Sequence, residues 1–325
     1  MIRVRVFAAL RELAGAGQFS VEGHSVGEVV DATIAAVPAE HTERFGQIAS
    51  VSSFVVNGER ASRETPIADG DEVAILPPVS GGGVGGRTVL LLGAGEFEPW
   101  SEAAERAALV RARSGDGSVA ILPTASAPEG QHVFERWARM GLDHYADLGI
   151  PARLVPLMSR QDAAREELIE QVALASMIFF SGGRPSYLSA TLRGTPFWTA
   201  VLAALDRGAV FAGCSAGAMV AGAARRGRRR RFDPWGSGLE VVPGLIAGVH
   251  WDAVPRALFP VRDIVARMAP READFLGIDE HTAALGDADG WEVFGFGSIH
   301  VGVGRRARSY GAGERFTLPN AAARR

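Results

Sequence analysis

Residues 209–221 read AVFAGCSAGAMVA and predict the central strand–turn–helix of an α/β fold. The apolar run Ala209–Ala212 is typical of a buried strand, and the small residues after the turn suit a closely packed helix. Gly213 and Gly217 flank Ser215 and allow a tight backbone turn between the two elements. Such a turn holds the serine hydroxyl exposed beside the N–H groups of the helix. Ser215 is therefore a candidate nucleophile, although small residues at a crowded turn also serve packing alone.

Short apolar runs alternate with helical stretches on both sides of this turn. The runs stand at 89–92, 119–122, 152–155, 177–180 and 210–211, with helical stretches near 101–113, 130–148, 161–175 and 196–207. Continuous apolar strands between helices predict an α/β domain whose mostly parallel sheet is covered by helices on both faces. Ligands of such folds bind at the carboxyl ends of the strands. The loops 93–96, 123–127 and 181–185 and the Ser215 turn lie at those ends.

The composition predicts an ordinary globular protein. The chain has 325 residues, 47% apolar and 22% charged, and a formal net charge of −3, which suits two domains and gives no overall attraction to nucleic acid. A single cysteine excludes an internal disulfide and leaves no cysteine cluster for zinc. Gly93-Ala94-Gly95 lacks the third glycine of a dinucleotide fingerprint. We expect no metal, cofactor, nucleic acid or membrane partner, and a cytoplasmic location.

Five glycines among the seven residues 80–86 predict a flexible boundary between two domains. We place the domains at 1–82 and 88–318, with a linker at 83–87 and a disordered tail at 319–325. In the first domain, residues 2–7 alternate like a half-buried strand with which residues 18–21 can pair. Ser25 and Glu28 form a capping box at the start of a helix, and two further strands follow. The order strand, strand, helix, strand, strand predicts a small α+β domain of the β-grasp type.

The first domain resembles the small ubiquitin-like sulfur carriers of molybdopterin synthase. The resemblance lies in FAALRE at 7–12, VNGE at 56–59 and DGDEVAILPPVSGG at 69–82. It implies a β-grasp fold whose Gly81-Gly82 tail is adenylated and converted to a thiocarboxylate, with an adenylating enzyme and the synthase large subunit as partners. Here Gly82 is followed by Gly83 and a second domain, so the intact chain has no carboxylate to activate at this position. Sulfur transfer requires cleavage after Gly82; otherwise the domain is a binding module.

The second domain resembles the serine peptidases related to dipeptidase E and cyanophycinase, on a class I glutamine amidotransferase-like fold. Three motifs in family order carry the resemblance: FFSGG at 179–183, GCSAGA at 213–218 and GIDEHTA at 277–283. It implies serine-type hydrolysis of short acidic peptides or aspartyl-linked amides. A hydroxyl nucleophile needs a base. Of seven histidines, His250 matches the family position after a Pro-Gly strand; His281 is the second candidate, and His300 is predicted to have no role.

Glu280 is the third member of the triad by resemblance to cyanophycinases, while Asp279 and Asp252 stay open as alternatives. The oxyanion donors are expected to be the backbone N–H groups of Gly183 (or Gly182) and Ala216.

Cys214 raises a rival function, because class I amidotransferases use a cysteine nucleophile. The turn places Ser215 at its exposed apex, so Cys214 is predicted to be a buried apolar residue. The arginine-rich run 225–231 is interpreted as a solvated loop near the site that attracts acidic substrates. A carrier or binding protein built on a hydrolase-like scaffold is the remaining alternative.

Overall fold

The computed structural model describes residues 1–50, 52–57, 59–76, 86–222, 238–253, 273–287, 290–302 and 307–319. The chain divides into two compact units, Met1–Val84 and Gly85–Arg325, and the division falls within the linker predicted at 83–87. Among the helices in these ranges, none is long and apolar enough to cross a membrane. The predicted Gly81-Gly82 tail, the arginine-rich run 225–231 and the terminal residues 320–325 lie outside the described residues.

The first unit is a β-grasp fold. Its elements are β1 Ile2–Val6, α1 Ala8–Ala14, β2 Gln18–Val21, α2 Val26–Ala35, α3 Ala39–Ser50, β3 Ser53–Val56, β4 Glu59–Ala61 and β5 Glu72–Leu76. The sheet order is β2-β1-β5-β3-β4, with β1 and β5 parallel and the other neighbours antiparallel. The alternation of β1 buries Ile2, Val4 and Val6 and exposes the arginines between them.

The helix α2 begins as the sequence predicts. The Ser25 side chain accepts a hydrogen bond from the Glu28 N–H at 3.3 Å, and Glu28 in turn accepts one from the His24 N–H. The predicted order omitted α1, α3 and β4, and this was wrong. Phe45 and Ala49 of α3 are buried in one core with Leu10 of α1, so each helix depends on the other for burial.

The second unit contains the long alternation of strands and helices. Its described elements are β6 Val89–Leu92, α4 Glu102–Arg111, β7 Val119–Leu122, α5 Gln131–Asp147, β8 Ala152–Leu154, α6 Glu166–Leu174, β9 Met177–Phe180, α7 Pro185–Leu192, α8 Pro196–Arg207, β10 Val210–Cys214, α9 Ala216–Ala221, β11 Leu245–Gly248, β12 Asp274–Ile278, β13 Thr282–Gly286, β14 Trp291–Gly295, β15 Ile299–Val301, β16 Arg308–Tyr310 and β17 Arg315–Phe316. Short 3₁₀ turns at Pro99–Ser101, Thr124–Glu129 and Asp162–Ala164 lie between them.

Eight of these strands form a mixed sheet in the order β17-β14-β13-β6-β10-β9-β7-β8. The strands β6, β10, β9, β7 and β8 are parallel, and β13, β14 and β17 extend the sheet antiparallel. Residues of α6–α9 pack on one face of the sheet and residues of α4 and α5 on the other, as predicted. The carboxyl ends of β6, β9 and β10 meet at the middle of this sheet.

A second sheet, in the order β11-β12-β15-β16, was not predicted. β11, the strand that precedes His250, belongs to this sheet and pairs in parallel with β12. His250 therefore follows a strand of the second sheet, whereas Ser215 follows β10 of the main sheet.

The Ser215 turn depends on the absence of a side chain at Gly217. A Cβ there would lie 2.0 Å from the carbonyl oxygen of Phe180 in β9. We expect Gly217→Ala to destabilise the second unit by about 1–3 kcal/mol or more, because neither backbone has room to move. Gly290→Ala is the control, since its Cβ would lie 3.7 Å from its nearest neighbour, the Phe316 carbonyl oxygen. Chemical denaturation, monitored by circular dichroism, gives the unfolding midpoint of each variant. Equal midpoints for Gly217→Ala and Gly290→Ala would contradict this packing.

Candidate active site

Ser215 lies at the turn between β10 and α9. Its backbone has φ 50° and ψ −109°, a strained conformation for a residue with a side chain. The Ser215 N–H donates to the Leu92 carbonyl oxygen at 3.0 Å, which fixes the turn against the end of β6. The residue is half-buried at the carboxyl edge of the main sheet, where parallel α/β sheets bind ligands.

His250 lies beside this serine. Its Nε2 is 3.0 Å from the Ser215 Oγ, within hydrogen-bond distance. The residue has φ 50° two residues after the end of β11, and the next N–H, that of Trp251, donates to the Ile278 carbonyl oxygen. This anchoring on β12 turns the imidazole toward the serine.

Glu280 completes a chain of three side chains. Its Oε1 is 2.7 Å from the His250 Nδ1, the ring nitrogen that does not face Ser215. The His250 and Glu280 side chains are 44% and 37% exposed, so the chain can be reached from solvent. A serine bonded to an imidazole that is bonded to a carboxylate is the arrangement that activates a hydroxyl nucleophile.

The two alternative carboxylates have other partners. Asp252 accepts a hydrogen bond from the backbone N–H of Glu280 at 2.8 Å and so holds that residue in place. Asp279 accepts one from the Ser298 N–H and lies 3.0 Å from the His300 Nε2. The structure thus brings Glu280, and neither aspartate, to the predicted position beside His250.

The other two histidines considered also have other partners. His281 Nε2 lies 3.3 Å from the Glu98 carboxylate. His300 lies in β15 and contacts Asp279 and the hydroxyl of Ser309. Neither is the histidine that bonds Ser215.

The predicted oxyanion donors are Ala216, which follows Ser215, and the Gly182-Gly183 turn, of which Gly182 lies against the Ser215 side chain. Ala216 is the first residue of α9, where helix N–H groups have no partner within the helix. The Gly182 N–H donates to the Glu96 Oε1 at 2.8 Å, so it already has an acceptor. Gly183 is exposed and has φ 136°, which favours glycine. Gly183 rather than Gly182 is therefore the candidate donor in this loop.

Sequence reasoning gave Glu96 no role. Its side chain is 4% exposed and lies behind the Gly182-Gly183 turn. The available signal was an acidic residue directly after Gly93-Ala94-Gly95, at the carboxyl end of β6. Within the described residues, no group of three or more His, Cys, Asp and Glu side chains is placed to hold a metal ion.

Cys214 is fully buried, as predicted. Burial raises the pKa of its thiol well above the usual range, and the charge of Glu96 and a hydrogen bond to it raise the pKa further. A nucleophilic cysteine needs the opposite, an accessible thiolate. This environment disfavours a glutaminase with Cys214 as nucleophile.

The Cys214 thiol is expected to be unreactive in the native protein. Because the chain contains one cysteine, the absorbance change with Ellman's reagent reports on this thiol alone. At pH 8 we expect no reaction over the time in which a free thiol reacts fully, and one equivalent after unfolding in guanidinium. Rapid reaction of the native protein would contradict both the burial and the raised pKa.

Sequence comparisons assign a family to each of the two units. Residues 4–82 match the sequence model of the ThiS family, and residues 89–248 match that of peptidase family S51. The chain joins a ThiS domain to an S51 domain. The S51 match includes Ser215 and the Gly182-Gly183 turn but ends before His250 and Glu280.

Individual relatives match each domain separately. Cyanophycinase from Synechococcus elongatus is 29% identical over 201 residues, 59% of this chain and 60% of that protein. The chain therefore spans less than two thirds of the length of this curated relative. Small archaeal modifier protein 1 from Haloferax volcanii is 38% identical over 84 residues, 24% of this chain and 97% of that protein. The crystal structure of a peptidase from an acI-B1 actinobacterium has 28% identity and a TM-score of 0.63, covering 72% of this chain and 98% of that one.

Proposed function

We propose that the S51 domain is a serine-type hydrolase of peptide or amide bonds. Ser215 is the nucleophile, His250 the general base and Glu280 the residue that orients the imidazole. The observation that carries this proposal is the continuous chain of contacts from the Ser215 Oγ through both nitrogens of His250 to the Glu280 carboxylate.

In the proposed mechanism, the Ser215 Oγ attacks the scissile carbonyl carbon while the His250 Nε2 takes the hydroxyl proton. Glu280 accepts the hydrogen bond from the His250 Nδ1–H, which fixes the tautomer and stabilises the imidazolium. The N–H groups of Gly183 and Ala216 stabilise the negatively charged oxygen of the tetrahedral intermediate. His250 then returns the proton to the leaving amine, and a water molecule activated by His250 hydrolyses the acyl-enzyme.

The substrate class proposed is a short acidic peptide or an aspartyl-linked amide. Similarity to cyanophycinases, together with the match to peptidase family S51 that includes Ser215, supports this choice. The test is release of free amino acid from aspartyl dipeptides by the purified chain, with matched alanyl dipeptides as the comparison. Preferential cleavage of the aspartyl substrates is expected; equal cleavage of both sets would contradict the substrate class and leave the hydrolase proposal standing.

The two alternative functions receive less support. A carrier or binding protein on a hydrolase-like scaffold does not need the 3.0 Å contact between Ser215 and His250. A glutamine amidotransferase-like protein needs a reactive Cys214, which is buried.

For the ThiS domain we propose a sulfur-carrier role that begins with cleavage after Gly82. The peptide bond to Gly83 blocks activation in the intact chain, so release is chemically required for a thiocarboxylate. The released domain would then meet an adenylating enzyme and the large subunit of molybdopterin synthase in the cytoplasm. Intact mass spectrometry of the chain expressed in its native host tests this. A fragment ending at Gly82 is expected, and persistence of the full-length chain alone would contradict release.

A further inference from the structure

We infer that Glu96 is a positioning residue of the proposed hydrolase, which holds the Gly182-Gly183 turn in the conformation that stabilises the oxyanion. The inference rests on the proposed function, because it assigns Gly183 as an oxyanion donor. It concerns a residue of the β6 loop, 86 positions before Gly182 in the chain.

The first observation is a buried carboxylate at the site. Glu96 is 4% exposed, and none of the ion pairs among the described residues involves it. Burial of a carboxylate is costly unless hydrogen bonds compensate for the lost water. Here the Oε1 accepts the Gly182 N–H at 2.8 Å. Hydrogen bonds from a backbone N–H to a carboxylate are among the stronger ones in proteins.

The second observation is that Glu96 contacts both segments that form the site. A Cβ on Gly182 would lie 3.1 Å from the Glu96 Oε1 and 3.5 Å from the Ser215 Cβ, so Gly182 lies between the carboxylate and the nucleophile. The Glu96 carboxylate also lies close enough to Cys214, the residue before Ser215, to raise the pKa of its thiol. One side chain thus links the loop after β9 to the end of β10.

The turn itself needs such a restraint. Two adjacent glycines sample many backbone conformations, and Gly183 adopts φ 136°. The far side of the turn is fixed, because the Arg184 N–H donates to the Ala125 carbonyl oxygen at 2.8 Å. Glu96 fixes the other end of the turn, because its buried carboxylate accepts the hydrogen bond from the Gly182 N–H. The exposed Gly183 is then the residue whose N–H is available to the oxyanion.

This arrangement predicts a selective kinetic effect. The oxyanion exists only in the transition state and intermediate, so a misplaced donor lowers the rate of the chemical step and leaves initial binding unchanged. Loss of a merely structural contact would instead lower the stability of the fold and reduce the amount of active protein.

The test uses the full chain and an alkyl fluorophosphonate, which requires no knowledge of the natural substrate. In this reaction the Ser215 Oγ–P bond forms, fluoride leaves, the proton passes to His250, and the phosphoryl oxygen occupies the oxyanion position. The maximal labelling rate and the half-saturating probe concentration are measured for wild type, Glu96→Gln, Glu96→Asp and Glu96→Leu. Glu105→Gln is the matched control, since Glu105 is a fully buried carboxylate that pairs with His144.

We expect Glu96→Leu and Glu96→Asp to lower the maximal labelling rate roughly 10- to 100-fold at an unchanged half-saturating probe concentration. Leucine removes the acceptor of the Gly182 N–H, and the shorter aspartate moves it out of reach. Glu96→Gln should keep most of the rate, since its amide oxygen still accepts the Gly182 N–H, and Glu105→Gln should match wild type. If Glu96→Leu does not fold, the Asp and Gln variants decide the matter.

Wild-type rates in Glu96→Asp, or an equal loss in Glu96→Gln and Glu96→Asp, would overturn the inference. Absence of wild-type labelling at Ser215 would instead overturn the proposed function.

Discussion

Replacing Ser215 by alanine is expected to lower kcat for aspartyl dipeptide hydrolysis by about 10⁴- to 10⁶-fold, the scale seen when a serine hydrolase loses its nucleophile. The alanine leaves His250 and Glu280 in place but removes the only group that forms the proposed acyl-enzyme. Substrate binding should be nearly unchanged, because the hydroxyl acts in the chemical step. Release of free aspartate at saturating substrate measures this loss.

Ser309→Ala is the matched control for this variant. Ser309 also bonds a histidine, with its Oγ 2.8 Å from the His300 Nδ1, and His300 contacts the carboxylate of Asp279. Ser309 lies in the exposed strand β16 rather than at a strand–helix turn, so it lacks the adjoining helix N–H groups. Ser309→Ala should keep its activity. If Ser309→Ala were inactive and Ser215→Ala fully active, Ser309 would be the nucleophile instead.

The second large effect is expected from Glu280→Gln, which should lower kcat by about 10³- to 10⁴-fold. The amide occupies the same volume but no longer stabilises the imidazolium, and its N–H₂ group favours the wrong tautomer of His250. Because the Glu280 Oε1 is 2.7 Å from the His250 Nδ1, even a conservative substitution disturbs this contact. Initial rates over pH 6–9 measure the loss and show that it persists across the range.

Asp279→Asn provides the control for Glu280→Gln. Asp279 precedes Glu280 in the chain but contacts Ser298 and His300 rather than His250. We expect its effect on kcat to stay below about tenfold, since the nucleophile and base keep their geometry. A larger loss in Asp279→Asn than in Glu280→Gln would mean that the carboxylate has been wrongly assigned.

Local patterns were sufficient to predict the parallel strands of the main sheet and the Ser215 turn, but not the antiparallel strands β13, β14 and β17. The apolar runs that become β6, β7, β9 and β10 are continuous, as required of strands buried on both faces. The glycines around Ser215 indicate close backbone packing, and in the structure Gly217 packs against the Phe180 carbonyl oxygen. Both signals lie within a few neighbouring residues.

The second sheet was not predictable in the same way. Its strands β11, β12, β15 and β16 have three to five residues each, and β11 pairs with β12 across more than twenty intervening residues. Short strands carry little periodicity, and pairing at such separation depends on the tertiary fold.

The details of the site also depend on the fold. Only the resemblance to cyanophycinases favoured Glu280 over Asp252 and Asp279, because each of these carboxylates lies close to a histidine in the chain. The choice is made by the backbone at His250 and His281, each with φ 50°, and by the bond from the Glu280 N–H to Asp252. Glu96 was missed for the same reason, since its partner Gly182 is adjacent only in space.

Covalent labelling of the wild-type chain with a fluorophosphonate, followed by peptide mapping, tests the central claim most directly. The proposed function predicts a single adduct on the peptide that contains Ser215 and no adduct in Ser215→Ala. An adduct on any other serine, or hydrolysis of aspartyl dipeptides by a chain that is not labelled at Ser215, would contradict the assignment.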